Sequence, residues 1–265
     1  MRIVTNADDF GEHEDCTKAT IECLEAGALT GATIMPKMPA TDMAVQYALS
    51  RPDLSWGVHL TYVNNTTECP VLDPRAVPAL VNERGAFLPS QKVRVMALLG
   101  GFPVDQIARE TEAQIRSLQD RGLRLSHVDS HGHLHKFGPF RRALAAVLPK
   151  VGLSRVRSVQ DVYLKKPFKS FTYWFGPAHR ARIRACFDTT DAFYMPSSAP
   201  DLNWEKPLVA CLDSLQVRTI EVGVHPGYAE EWRDAERIGI LTFADLARKA
   251  GHTLIGWKEI PTRPS

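Results

Sequence analysis

Short apolar runs with the two-residue alternation of strands take turns along this chain with segments at the wider spacing of helices. Ile3 to Ala7 reads as a first strand, and Asp8 and Asp9 follow it directly in Asn6-Ala7-Asp8-Asp9-Phe10-Gly11. Thr17 to Leu24 has helical spacing and stops at Gly27, a helix-terminating signal. Gly31 to Met35 is a second strand closed by Pro36, and Thr41 begins a helix to about Leu49 that Pro52 ends. Ser55 to Leu60 is a third strand delivering His59 just before Thr61. From about 62 to 90 no period holds, and Pro, Asn and Thr recur; a loop that long in a compact domain is usually functional, often a lid or substrate wall.

Pro103 opens a helix through Ile107, Thr111, Ile115 and Leu118, with Gly122 just past its end. Ser126 to His131 is a fourth strand, Phe140 to Leu148 a helix and Arg155 to Val159 a fifth strand. Aromatic and basic residues mix around Pro177 between Phe168 and Phe187, and the pattern predicts no clear element there. Leu208 to Leu215 reads as a helix, and Thr219 to Val224 as a strand delivering His225-Pro226-Gly227-Tyr228. A helix from Phe243 to Lys249 and a strand from Thr253 to Trp257 complete the series.

Strands alternating with helices predict a parallel α/β architecture. Asp8 and Asp9, His59, His131 and His225 fall at the carboxyl ends of four different predicted strands. Barrels carry their active sites on that face, whereas an open doubly wound sheet gathers its site near one switch point. The expectation is therefore a single TIM-like (β/α) barrel domain over residues 1–265, with a substrate-side loop at about 62–90.

Composition narrows the partners. A 44% hydrophobic and 23% charged chain is that of a soluble globular protein, and a net charge of +2 gives no case for nucleic acid or an acidic membrane. No apolar run is long enough to span a bilayer, and the N-terminus runs into Arg2-Ile3-Val4-Thr5 without a signal-like segment. Five cysteines, odd in number and with no C-x-x-C pair, point to reduced thiols and a cytoplasmic protein. The oligomeric state stays open, a homodimer being one arrangement.

The densest chemistry is Ser126-His127-Val128-Asp129-Ser130-His131-Gly132-His133-Leu134-His135, which holds four of the nine histidines. On an extended backbone His127, Asp129 and His131 share one face, a pattern suited to a metal site with a carboxylate that fixes an imidazole tautomer. Plainer readings stand beside each candidate. The stretch could be a polar strand end, Asp8-Asp9 a helix cap or turn, His59 a satisfied strand histidine, and His225 an incidental member of a His-Pro-Gly turn. Asp129 reads as a carboxylate that orients an imidazole or binds substrate, and His133 and His135 as cleft-lining residues or alternative ligands. Tyr62, Tyr228, Trp56, Trp174 and Trp257 are the aromatic candidates for stacking on a sugar, and Arg155 and Arg157 alternate out of the fifth strand toward cleft or surface.

Asn6 to Gly11, Gly57-Val58-His59-Leu60-Thr61, His127-Val128-Asp129-Ser130-His131 and Val224-His225-Pro226-Gly227-Tyr228 occur together in an order and spacing that resembles the YdjC-like carbohydrate deacetylases, over nearly the whole chain. The resemblance implies a distorted (β/α) barrel that hydrolyses N-acetyl groups of amino sugars with one divalent metal ion, zinc or magnesium. By position it makes Asp9, His59 and His131 the ligands, Asp8 the general base and His225 a candidate acid. Read from the residues themselves, Asp129, His133 and Tyr228 are the candidates for substrate binding. Two features depart from the family pattern: Glu12-His13-Glu14-Asp15 is unusually acidic, and Gly132 stands where many members carry histidine. Two imidazoles and a carboxylate leave coordination positions open, but the same set serves non-heme iron oxygenases. Another metal hydrolase, acting on phosphoesters or cyclic amides, and a sugar-binding protein without turnover remain as alternatives.

Overall fold

The computed structural model describes residues 1–64, 68–165, 171–196 and 203–263, without the side chains of 171 and 172. In chain order the elements are β1 (Arg2–Phe10), α1 (Glu14–Glu25), β2 (Gly31–Ile34), α2 (Thr41–Ser50), β3 (Ser55–Leu60), α3 (Ser90–Leu98), α4 (Val104–Gln119), β4 (Leu125–Ser130), α5 (Gly138–Val147), α6 (Phe171–Cys186), β5 (Ala192–Tyr194), α7 (Glu205–Leu212), β6 (Thr219–Val224), α8 (Glu231–Lys249) and β7 (Thr253–Ile255). The sheet is parallel, in the order β4-β3-β2-β1-β6-β5, and β7 pairs with the first residues of β1. Every residue of β3 and β6 is buried, as expected for parallel strands covered on both faces.

Residues 154–157 link β4 to the segment at Asp188 that leads into β5. Val128 N donates to Arg155 O and Arg157 N to Val128 O at 2.9 and 3.0 Å, while Val156 N donates to Asp188 O and Asp188 N to Ser154 O at 2.9 and 3.0 Å. Single parallel bridges thus run from Val128 to Val156 and from Arg155 to Asp188, four residues before β5, and the curled parallel sheet forms a half-barrel of the TIM-like kind expected from the motifs. The predicted strand Arg155 to Val159 is reduced to these bridges. Beyond Arg157 the backbone leaves the ladder, because the N–H groups of Asp161 and Val162 both turn to Phe193 O.

Other differences have local causes. β1 runs on to Phe10 through a register break between Ala7 and Phe10, so both aspartates lie within the strand and at its irregularity. The pattern showed no element at α3, because Val93 and Ala97 are buried while Val95, Leu98 and Leu99 face solvent, which blurs its apolar stripe. β5 has three residues, too few to show alternation. α6 crosses Pro177, and the aromatic and basic segment from Phe168 to Phe187 lies partly outside the described residues, at 168–170. α8 begins at Glu231 rather than Phe243, since its first turns carry mostly charged residues.

The long loop is a wall with anchors, its residues 65–67 lying outside the described set. Glu110 of α4 accepts from Val71 N and Leu72 N at 2.8 and 3.2 Å, and Gln106 from Ala79 N at 2.8 Å. Among the described residues no helix is long and apolar enough to cross a membrane. All five cysteines are free.

Candidate active site

Backbone geometry at the end of β1 separates two adjacent carboxylates. Asp9 adopts φ +57°, a left-handed conformation that asparagine and aspartate tolerate better than most residues, and its carbonyl accepts from Glu12 N at 3.0 Å. Asp9 therefore turns toward β3 and β4, and Asp8 toward β6 and residue 157. Asp9 Oδ1 lies 3.0 Å from His131 Nδ1 and 3.2 Å from His59 Nε2. One donor atom from each of Asp9, His59 and His131 lies within 4.8 Å of the other two. The strand ends that the sequence pointed to do converge.

The charge balance of this trio bears on whether it suits a cation. Burial would raise the Asp9 carboxyl, but the His131 and His59 imidazoles overcome it and hold it well below its ordinary range. Burial would lower His59, yet the Asp129, Asp9 and Asp8 carboxylates push it well above the usual imidazole value. Electron-rich atoms that converge this closely require a shared positive charge, either a proton on His59 or a metal ion. Asp129 Oδ1 sits 2.7 Å from His59 Nδ1, the carboxylate–histidine arrangement that leaves Nε2 for a ligand. The residues fit a divalent ion.

A second convergent set, Asp8, His59 and Asp129, already holds its cation. Arg157 Nη1 stands between Asp8 Oδ2 at 2.5 Å and Asp129 Oδ2 at 2.7 Å, while Nε and Nη2 bind Glu221 Oε1 at 2.9 and 2.7 Å. Burial alone would raise Asp8, but Arg157 beside it lowers it, so the carboxylate is ionised near neutral pH. A third set, Glu12, His13 and Cys16, is engaged otherwise. His13 caps α1 by accepting from Cys16 N at 3.4 Å, burial pushes the Cys16 thiol up to about 11, and Glu12 binds Arg233.

His225 is held from behind by Glu236, whose Oε2 accepts the His225 backbone N–H at 2.6 Å and lies 3.1 Å from Nδ1. Nε2 faces Asp8 Oδ2 at 3.8 Å. Burial would lower this imidazole, but the Glu236 carboxylate overrides it, and the group is pushed up to about 9. A protonated imidazole and an ionised carboxylate thus flank the Asp9–His59–His131 trio.

A family model described as YdjC-like protein matches residues 2–251. The chain belongs to the YdjC-like family. A carbohydrate deacetylase of Thermoanaerobacter pseudethanolicus is 30% identical over 230 residues, covering 86% of this chain and 82% of that protein. One from Halalkalibacterium halodurans is 29% identical over 237 residues, with 87% of each chain covered. Among solved structures, a protein from Enterococcus faecalis superposes with a TM-score of 0.79 at 22% identity, covering 98% of this chain and 99% of the other. A family 4 carbohydrate esterase from Streptomyces lividans, in complex with acetate, has a TM-score of 0.50 at 10% identity over 100% of this chain and 98% of its own. At these identities the structures establish the fold.

The remaining expected site residues of this YdjC-like chain divide by burial. Asp129 is fully buried and also accepts from Thr33 Oγ1 at 3.0 Å, which places it behind His59. The rings of His133 and His135 lie 6.1 Å apart, and neither histidine joins a set of converging donors among the described residues. His133 lies 5.9 Å from the Phe193 ring, and burial holds it well below the usual imidazole value. His135 is tied to Ser130 Oγ at 2.8 Å, and burial lowers it to about 3. His127 stacks on Trp257 at 4.8 Å inside the barrel. Tyr228 donates to Glu22 at 2.6 Å and lies under Arg237, against α1 and α8. Among the other aromatics, Trp56, Tyr62 and Trp257 are core residues rather than stacking platforms, and Trp174 is 61% exposed.

Sequence reasoning missed Thr33, Glu221, Arg233 and Glu236 and left Arg157 undecided between cleft and surface. Arg157 is fully buried, whereas Arg155 reaches the backbone oxygens of Ile260 and Lys258 at 2.7 and 3.2 Å. A usable signal lay in Glu221, a lone charge inside Thr-Ile-Glu-Val-Gly-Val, since an ion in a buried strand requires a partner. Arg233 and Glu236 carry no such signal, because they sit in a helix dense with charge. Arg233 nonetheless donates to Asp9 Oδ2 at 2.9 Å.

Proposed function

We propose that this chain is a metal-dependent hydrolase that removes the N-acetyl group from an acetylated amino sugar or short oligosaccharide. The observation that carries this reading is the meeting of Asp9, His59 and His131, with Asp8 and His225 3.8 Å apart at its side. Family membership and the names of the relatives supply the substrate class. A divalent ion, zinc or magnesium, held by those three residues would polarise the amide carbonyl and acidify water.

The chain's own groups supply the remaining chemistry. Asp8 is ionised beside Arg157 and takes the proton of the attacking water, a general-base contribution of roughly 10²–10⁴-fold. His225 enters the reaction as an imidazolium, since the Glu236 carboxylate at Nδ1 stabilises the charge, and it delivers the Nε2 proton to the departing nitrogen. Without that proton the amine anion is too basic to leave. Asp129 keeps His59 in one tautomer and orientation. Arg157 spans Asp8 and Asp129, so it fixes the base relative to the imidazole that Asp129 supports.

Acetate release from a panel of acetylated amino sugars tests the reading. Turnover is expected to disappear with a chelator and to return when zinc or magnesium is restored. Chelator-resistant release would remove the metal from the mechanism. Failure across the panel, with phosphoester or cyclic amide cleavage instead, would replace the activity.

A further inference from the structure

The strands deliver Asp8, Asp9, His59 and His225 at or beside their carboxyl ends, while their amino ends frame a separate groove. Arg2 opens β1, Thr219 opens β6 and Asp191 immediately precedes β5, and all three line a cleft of about 420 Å³ with Arg184, Arg218 and Arg263. A second cleft of about 340 Å³ adjoins it and shares Arg184, Asp191 and Arg218. Arg2 and Asp8 lie roughly 20 Å apart along β1, so the groove is remote from the Asp9–His59–His131 trio.

The groove holds more positive charge than its own carboxylates neutralise. Five arginines (Arg2, Arg180, Arg184, Arg218 and Arg263) and three aspartates line the two clefts. The whole chain carries only +2, so this excess concentrates charge in one place. The aspartates are also engaged elsewhere. Asp161 pairs with Arg180 at 2.5 Å and accepts from Phe193 N at 2.8 Å. Asp188 Oδ1 accepts from Arg263 N at 3.1 Å. Asp191 Oδ2 accepts from Arg218 N, Thr219 N and Thr219 Oγ1 at 3.0, 3.0 and 3.1 Å. Among the described residues Arg184 and Arg218 form no ion pair, and Arg184 donates instead to the Asp191 carbonyl. An independent sign of a missing partner is Thr189, which lines the larger cleft. Its Oγ1 is shut off from water and makes no hydrogen bond among the described residues, a state that costs free energy until an acceptor arrives.

We propose that this groove binds the phosphate group of a small ligand, held by Arg184 and Arg218 with Thr189 Oγ1 as a further donor. Guanidinium groups present paired N–H donors that match phosphate oxygens, and a hydroxyl completes such a cradle. Among the described residues no aromatic ring lines either cleft, so recognition is by charge rather than by stacking. The site is independent of the deacetylase reading.

Calorimetric titration of the full chain with inorganic phosphate and with pyrophosphate, at fixed ionic strength, tests it. Saturable binding is expected, tighter for the more highly charged pyrophosphate and weaker as sodium chloride is raised. Arg184→Met/Arg218→Met should weaken it at least about tenfold with an unchanged melting temperature, since charge-assisted contacts are lost. Arg184→Lys keeps the charge and should lose less. His131→Ala, altered at the other end of the strands, should bind both anions as wild type does. No saturable binding of either anion by wild type, or full affinity in the double variant, would overturn the site. Binding that disappears in His131→Ala would put the anion at the metal centre and overturn it as well.

Discussion

Asp8 and Asp9 are neighbours in sequence with opposite duties, and one left-handed φ at Asp9 separates them. A similar economy holds at His225, where one Glu236 oxygen binds both the backbone N–H and Nδ1. The pH dependence of activity follows from that pair. With its folded value raised to about 9, His225 carries its proton through neutrality and loses it only as the pH approaches that value. Stability from the His225–Glu236 pair is accordingly complete below the unfolded histidine value of about 6.5 and fades as pH rises toward 9. The alkaline limb of kcat on an amide substrate should therefore fall near pH 9. Glu236→Gln keeps a hydrogen-bonding oxygen but removes the charge, leaving burial to lower the imidazole. Its alkaline limb should move down by one unit or more. A limb that stays in place, measured on a matched pH series, would show that His225 is not the group being titrated.

At the scale of elements, β3, β6 and α4 were legible because each keeps one period over six or more residues between clear stop signals. α3 and β5 were obscured by exposed apolar residues and by shortness respectively, and the strand expected from Arg155 to Val159 is reduced to single-residue bridges. Gly57 shows how little of the packing a period reveals. It reads as a weak point in β3, yet a Cβ there would lie 2.6 Å from His127 Cε1 and 2.7 Å from Thr33 Cγ2. The missing side chain lets His127 lie across β3 and stack on Trp257, next to the strand residues that carry His59 and Asp129. Gly57→Val should cost about 1–3 kcal/mol by overpacking, or roughly 2–10 °C in Tm by differential scanning fluorimetry. An unchanged Tm would mean that the β3–β4 layer has slack at His127.

At the scale of the whole molecule, the barrel is tied through its interior by ions as well as by apolar contact. Arg157 joins Asp8 on β1, Asp129 on β4 and Glu221 on β6, and Glu221 also accepts from Trp257 Nε1 at 3.2 Å. The sequence displayed the strand ends, because each polar residue stood out against an apolar run. It could not display this tie, because pairing across the curled sheet depends on its curvature rather than on local period. Arg157→Met keeps most of the side-chain volume and leaves three buried carboxylates without their cation. The expected loss is about 3–5 kcal/mol near neutral pH, the usual result of breaking a buried ionic network from one side. The loss should depend on pH in a defined direction. Burial already raises Glu221 to about 7 against the opposing pull of Arg157, and removing Arg157 raises both Glu221 and Asp8. The folded variant then binds more protons than its unfolded chain, so its deficit should shrink toward pH 5 and grow toward pH 8. Urea denaturation of wild type and variant across that range measures it. A deficit that stays constant with pH would show that lost packing, rather than unpaired charge, is what the substitution removes.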